Sequence, residues 1–367
     1  MNILHVIRNV EVGGLERMAV TLAAEQQSRG HTVALVEVSL ASGICMHLPD
    51  GLPVYRARRT PRAFLPGGAL RLMRIFRDVR PDIVHVHNTL ALHHVWLASL
   101  LHPVPVVFTK HGMDFVGGLH RHLYRRPAAV ACVSSDVKAT YARIFPQMAD
   151  KLFAAVNGVS ALPHSASHAP RPTSHSPRLI WVGRMSKEKN LPLLIGACRE
   201  IRRHFPRLRL QLIGDGPVRP GLPSEDWIQM PGMVDDVCPF LTDADCFVLP
   251  SSTEGLPMAL LEAGMAGLPA VVTRVGEMPS IIEQSDGGWV VEPGDEQALA
   301  KVLEDVANLR EAVLKTKGNA LRKYIEAHYS VQKMTDDYEQ VYKVAGAFVR
   351  HSLSDGGSSS RVFSGAG

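Results

Sequence analysis

Short apolar runs, each closed by a polar or glycine-rich turn, alternate along the chain with segments whose apolar positions repeat every three to four residues. In the first half ILHVI, TVALVEV, DIVHVH, VPVVFT and AAVACVS read as buried strands. LERMAVTLAAEQQSRG and ALRLMRIFRDV read as helices between them. The second stops at Arg80-Pro81, because a residue before proline is pushed out of the helical region. The pattern restarts with RLIWVG, LRLQLIG, CFVLP and PAVVT, again separated by helical stretches. Such alternation predicts an α/β chain of parallel sheets with helices on both faces.

Between the two sets lies ALPHSASHAPRPTSHSPR, residues 161–178, dense in Pro, Ser and His and without periodicity. The expected division is a first Rossmann-like domain over 1–165, a linker over 166–178, and a second over 179–350. The second ends in a long helix from about Val331 to Val349 and is followed by a Ser/Gly-rich tail, 351–367, expected to be disordered. Two such domains predict a ligand cleft at the carboxyl ends of their strands.

Composition adds limits. With 46% hydrophobic and 20% charged residues, the 367-residue chain has the balance of a soluble globular protein. No apolar run reaches the ~20 residues of a membrane span. MNILHVIRNVEVGG lacks the basic and apolar regions of a secretory signal. The five cysteines form no C-x-x-C, which favours a reducing compartment, the cytoplasm by default. Charge is uneven: up to residue 165 there are 18 Lys+Arg against 10 Asp+Glu, a net of +8, and the remainder carries −3. Eight arginines fall between Arg56 and Arg80 against one acid, Asp78. That excess suits anionic lipid head groups, nucleic acid or an anionic substrate, or is a solvated face.

Candidate chemistry gathers at strand ends. In SSTEGLPMALLEAGMAGLPA the loop after CFVLP carries Glu254, and the helix that follows carries Glu262. Nothing in the stretch neutralises either one. A carboxylate accepts two hydrogen bonds side by side and so matches a vicinal diol, while the helix N-terminus suits a phosphate. WVGRMSKEKN places Gly183, Arg184 and Lys189 after a strand, and two such cations suit a diphosphate. Gly214 and Gly216 in LIGDGP, and Gly13-Gly14 after the first strand, permit close backbone approach.

This ordered set resembles the retaining nucleotide-sugar glycosyltransferases of family 4, which have the two-domain GT-B architecture. EGLPMALLEAGMAGLP fits their E-x7-E frame, and VGRMSKEKN fits their G-R-x4-K element. HGMD at 111–114, VSS at 133–135, NGV at 157–159 and GDGP at 214–217 follow in family order, to about residue 345. The resemblance implies that Arg184 and Lys189 hold the donor diphosphate, that Glu262 binds ribose and that Glu254 binds the transferred sugar. It implies that Gly13 and Gly14 approach phosphates and acceptor, and that His111 and Asp114 face the reacting sugar. A UDP- or GDP-sugar donor, a glycan or lipid-linked acceptor and no metal or other cofactor are expected. The activity expected is hexosyl transfer with retention in cell-envelope or exopolysaccharide synthesis. A nucleotide-sugar hydrolase or epimerase, or a non-catalytic nucleotide-binding protein, is the alternative. The chain departs from the family at Ser160, where Asp is usual, and at Ser280, where Glu is usual.

Lookalikes are set aside on context. Asp243-Ala244-Asp245 mimics a D-x-D metal motif but directly precedes a buried strand. His85 reads as a packed strand residue and His87 as one that lines the acceptor side. The seventeen histidines show no metal-ligand spacing. A nucleic-acid partner is not expected.

Overall fold

The computed structural model describes residues 1–11, 13–39, 45–46, 48–57, 65–112, 118–160 and 177–355, and structural counts refer to these. The chain divides into two compact units, Met1–Val156 with Met334 onward, and Asn157–Lys333.

Unit 1 holds strands β1 (Asn2–Ile7), β2 (Thr32–Glu37), β3 (Val54–Arg56), β4 (Ile83–Val86), β5 (Val106–Lys110), β6 (Ala129–Cys132) and β7 (Leu152–Ala154). Its helices are α1 (Gly14–Ser28), α2 (Leu65–Val79), α3 (Thr89–Ser99) and α4 (Ser135–Ile144). The sheet order is β3-β2-β1-β4-β5-β6-β7, all parallel. Asn88 caps α3 by accepting from Ala91 N at 2.8 Å, and Ser134 caps α4 by accepting from Val137 N at 3.2 Å.

Unit 2 holds β8 (Arg178–Val182), β9 (Arg209–Ile213), β10 (Ile228–Gly232), β11 (Cys246–Leu249), β12 (Ala270–Thr273) and β13 (Gly288–Val291). Its helices are α5 (Leu191–Ile201), α6 (Cys238–Asp243), α7 (Met258–Met265), α8 (Met278–Ser285), α9 (Glu296–Asn308) and α10 (Glu311–His328). The order β10-β9-β8-β11-β12-β13 is again wholly parallel. Trp181, Leu212, Phe247 and Val271 are fully buried in its core. Both units therefore have the Rossmann-like order, in which the strand sequence reverses beside the first strand.

Two boundaries differ from the sequence reading. The break expected near residue 165 falls between Val156 and Asn157, and most of the 166–178 linker lies outside the described residues. The last helix, α11 (Val331–Asp355), was expected to complete the second domain, but from Met334 it groups with unit 1. Its buried face explains this. Tyr338 and Tyr342 are fully or almost fully buried, and Asp336 and Glu339 pair with Arg29 at 2.5 and 3.3 Å. The tail was expected to be disordered from 351, but α11 continues through Asp355, and the remainder from 356 lies outside the described residues.

The tyrosines enter a polar core that sequence spacing did not reveal. His5 of β1 and His85 and His87 at the end of β4 bring ring nitrogens within 4.8 Å of one another. His5 Nε2 meets Gln26 Oε1 at 2.8 Å, and Gln26 Nε2 donates to Tyr342 Oη at 3.1 Å. Tyr342 Oη also meets His85 Nδ1 at 2.7 Å, and His85 Nε2 meets Thr109 Oγ1 at 2.6 Å. Burial pulls His5 down to about 4 and takes His85 and His87 well below the ordinary histidine value. The cluster is neutral at pH 7. A histidine neutral in the fold but protonated when unfolded stabilises fully only above its ordinary value, and that stability is lost as pH falls toward the folded value.

Acid should therefore weaken unit 1 between about pH 6.5 and 4, with His5 alone contributing about 3 kcal/mol of loss at the lower end. Urea titrations at several pH values should show a shallower decline for His5→Gln than for the unaltered chain. Equal slopes would refute the assignment.

Candidate active site

At the point in unit 2 where strand order reverses, the loops after β8 and β11 lie side by side. β8 runs out at Val182, followed by Gly183, the exposed Arg184, and a tight turn over Lys187–Lys189 that enters α5. β11 runs out at Leu249, followed by Ser251 and Glu254 before α7 begins at Met258. Lys189 Nζ donates to Glu254 Oε1 at 2.6 Å, and Ser251 Oγ donates to the same oxygen at 2.7 Å. The pair is largely shielded, with side-chain exposures of 19% for Lys189 and 9% for Glu254. The carboxylate read as unneutralised thus finds its cation 65 residues earlier in the chain. Glu254 Oε2 has no hydrogen bond among the described residues and remains able to accept from a ligand.

The two loops are locked to their neighbours. Ser252 N donates to Glu188 O at 2.8 Å, and Thr273 Oγ1 donates to Ser251 O at 2.5 Å. Ser186 Oγ donates to Glu188 Oε1, and this bond, first among several, holds the Glu188 carboxyl below its ordinary range. Gly276 has φ +56°, and a Cβ there would stand 2.5 Å from Glu254 O and Gly255 O. Only glycine allows that approach, so the GEMP turn braces the Glu254 loop from behind. Ser280 does not disturb it: it lies in α8 and accepts from Gln284 at 2.8 Å. Ser160 is exposed, beside Val159, whose N donates to Tyr329 O.

Gly214 and Gly216 act on the site through backbone packing. Met185 N donates to Asp215 O at 2.8 Å, and Val218 N donates to Met185 O at 3.1 Å. Gly214 has φ +129°, and a Cβ there would meet Gly183 O at 1.9 Å; at Gly216 it would meet Met185 O at 2.4 Å. These glycines seat the Arg184 loop. The Arg184 guanidinium has no ion pair among the described residues. Glu262 is half-buried on α7 and has interactions of its own. Asp243 and Asp245, the D-x-D lookalike, are both engaged by Arg178: Asp243 by its side chain, and Asp245 Oδ2 by its backbone N at 2.8 Å.

In unit 1, Gly13 is the N-cap of α1 and Gly14 its first residue. His111 follows β5. Its Nε2 is buried without a partner, and burial, helped by the Lys110 charge, lowers the ring to about 3. It is neutral at pH 7. His87, expected to line the acceptor side, is 1% exposed and lies 2.8 Å from His5, because a strand-end histidine facing the core finds a partner there. Asp114 lies outside the described residues.

Two family models match in tandem: glycosyltransferase family 4 over residues 12–161 and glycosyl transferases group 1 over 176–308. The WcaL glycosyltransferase assigned to colanic acid biosynthesis in Salmonella typhimurium (strain LT2) is 32% identical over 169 residues. That match spans 42% of each chain, so the chain aligns with under half the length of this relative. Glycogen synthase of Mycobacterium tuberculosis is 24% identical over 92% of each chain. Among solved structures, Anabaena HepE in complex with UDP and glucose has a TM-score of 0.75 at 16% identity, covering 94% of this chain and 99% of that one. The fold is GT-B. The chain belongs to glycosyltransferase family 4.

Gly214→Ala should destabilise unit 2 by about 2–4 kcal/mol through backbone strain and the clash with Gly183 O. Gly221→Ala, where a Cβ meets nothing within 4 Å, should change stability by less than about 0.5 kcal/mol. Chemical denaturation of the two variants checks the contrast, and equal effects would remove the packing role.

Proposed function

We propose that the chain transfers a hexosyl group, with retention of configuration, from a UDP- or GDP-sugar to a glycan or lipid-linked acceptor in cell-envelope polysaccharide synthesis. The observation that carries this reading is the Lys189–Glu254 pair, braced at a strand-reversal point on the loop that also carries the exposed Arg184. WcaL, assigned to polysaccharide synthesis, and HepE, which holds UDP, supply the substrate class.

On this reading the donor diphosphate lies against Arg184 and Lys189. Departure of the sugar builds negative charge on the diphosphate, and the two cations stabilise it without waiting for solvent to reorganise. They supply the neutralisation a metal ion gives elsewhere, so no cofactor is called for. Glu254 keeps Lys189 oriented through Oε1 and offers Oε2 to sugar hydroxyls. Glu262 takes the ribose diol, and Gly183, Gly13 and Gly14 let backbone approach phosphates and acceptor. His111, assigned to the reacting sugar by the family resemblance, is neutral and so able both to donate and to accept a hydrogen bond.

Calorimetry and thermal shift with UDP, GDP, UDP-glucose and GDP-mannose should identify one nucleotide that stabilises the fold. At a hundred times its dissociation constant the gain is about 2.7 kcal/mol. Lys189→Ala should then cut turnover about 100-fold or more, as loss of one charge-stabilising donor does elsewhere. No response to any of these nucleotides, or full turnover without Lys189, would defeat the proposal.

A further inference from the structure

The arginine-rich stretch of unit 1 has a structural partner that the sequence pattern did not show. Leu100 and Leu101 are 59% and 70% exposed, adjacent, and the two most exposed large apolar residues among those described. They follow α3 and lead toward β5. Arg80 follows α2 and leads into β4, and Arg126 leads into β6. In a parallel sheet the residues entering each strand gather at its amino-terminal edge. Here the entries are laced in order: Val84 N donates to Pro105 O at 3.0 Å, and Ala128 N donates to Val106 O at 2.8 Å. Helices α2 and α3 pack together, and the Arg126 guanidinium lies 6.0 Å over the ring of Trp96 on α3. Arg74 and Arg77 lie exposed along the outer face of α2.

Between the entries to β4 and β6 the charge of this edge is mostly positive. From 65 to 110 and from 118 to 128 the acids are Asp78, paired with Arg77 at 3.2 Å, and Asp82, which accepts from Asn2 N at 2.7 Å. Beyond β1 the character changes, since Arg29 before β2 is engaged by Glu25, Asp336 and Glu339. Two exposed leucines inside a local field of arginines form a surface that water does not favour and that an anionic, apolar-cored partner does. No helix among the described residues is long and apolar enough to cross a membrane, so the match is to the bilayer surface.

We propose that this edge, with Leu100 and Leu101 as an apolar wedge and Arg74, Arg77, Arg80 and Arg126 around it, docks unit 1 onto an anionic lipid bilayer. The wedge enters the headgroup boundary and the arginines meet lipid phosphates. The edge is opposite the strand ends that carry His111 and the start of α1, so docking leaves those ends uncovered.

Sedimentation with phosphatidylcholine vesicles containing about one-third phosphatidylglycerol tests it, with pure phosphatidylcholine, protein alone, and a DNA duplex at the same salt as comparisons. The full chain should bind the anionic vesicles, lose binding as salt rises, and bind neither neutral vesicles nor duplex comparably. Leu100→Ser with Leu101→Ser should lower partitioning about tenfold at unchanged salt dependence. Arg74→Gln with Arg77→Gln should lower it about 25-fold and flatten the salt dependence, at about fivefold per charge. Nucleotide affinity should stay unchanged in both variants, so the outcome is separate from that of the donor-site proposal. Equal binding to neutral vesicles, preferential binding to the duplex, or wild-type partitioning by both variants would overturn the docking surface.

Discussion

Every strand pairing in both units is parallel, and the architecture of the site follows from that constraint. A parallel ladder needs a crossover after each strand, so all carboxyl ends emerge at one edge and all entries at the other. In unit 2 this brings β8 and β11 together although they are far apart in sequence, and their exit loops have to share one small volume. The glycines at 183, 214 and 276 are the consequence: each lies where a neighbouring loop leaves no room for a side chain or asks for a positive φ. The rigid frame comes first, and the charged residues are mounted on it.

The Lys189–Glu254 pair then has a definite energetic character. A largely shielded ion pair loses hydration on both partners, and its Coulomb attraction returns that loss only when further hydrogen bonds complete the geometry. Ser251 supplies one, on the oxygen already used by Lys189. The other carboxylate oxygen, and the remaining ammonium donors, are not spent on protein hydrogen bonds among the described residues. The arrangement suits binding better than stability. On the proposed reading an incoming diphosphate adds a second anion to Lys189 while Glu254 holds the ammonium in place.

Much of this was legible in the sequence, and what was missed shares physical causes. The nine strands read from apolar runs are nine of the thirteen observed, including every central one. The four not read are β3, β7, β10 and β13, the outer strands of the two sheets. An edge strand packs on fewer neighbours and needs less apolar character: VYR, IQMPG and GWVV alternate or mix polar and exposed positions. The loop positions of Arg184, Lys189 and Glu254 were also legible, because strand ends and helix starts are local signals. Their pairing was not, since Lys189 and Glu254 meet only through the crossover. Likewise α11 was legible as a helix, but its place was fixed by Tyr338 and Tyr342, whose partners lie more than 200 residues earlier.

The histidine cluster shows how such distant contacts define a core. Three buried imidazoles so close together invite a metal reading, yet hydrogen bonding already uses their nitrogens, except His87 Nδ1. With Gln26 Oε1 toward His5, His5 must donate from Nε2 and accept at Nδ1, so His87 donates from Nε2 and keeps a bare Nδ1 lone pair. Gln26 Nε2 then donates to Tyr342, Tyr342 donates to His85 Nδ1, and His85 donates to Thr109. One amide orientation thus sets the tautomers of three histidines across β1 and β4. A proton added to His5 would make Nδ1 a donor facing the His87 Nε2–H at 2.8 Å, and only a shift of the His87 proton to its unpartnered Nδ1 would relieve the opposition. Burial keeps these rings neutral, and through Tyr342 the network joins α11 to the first strand.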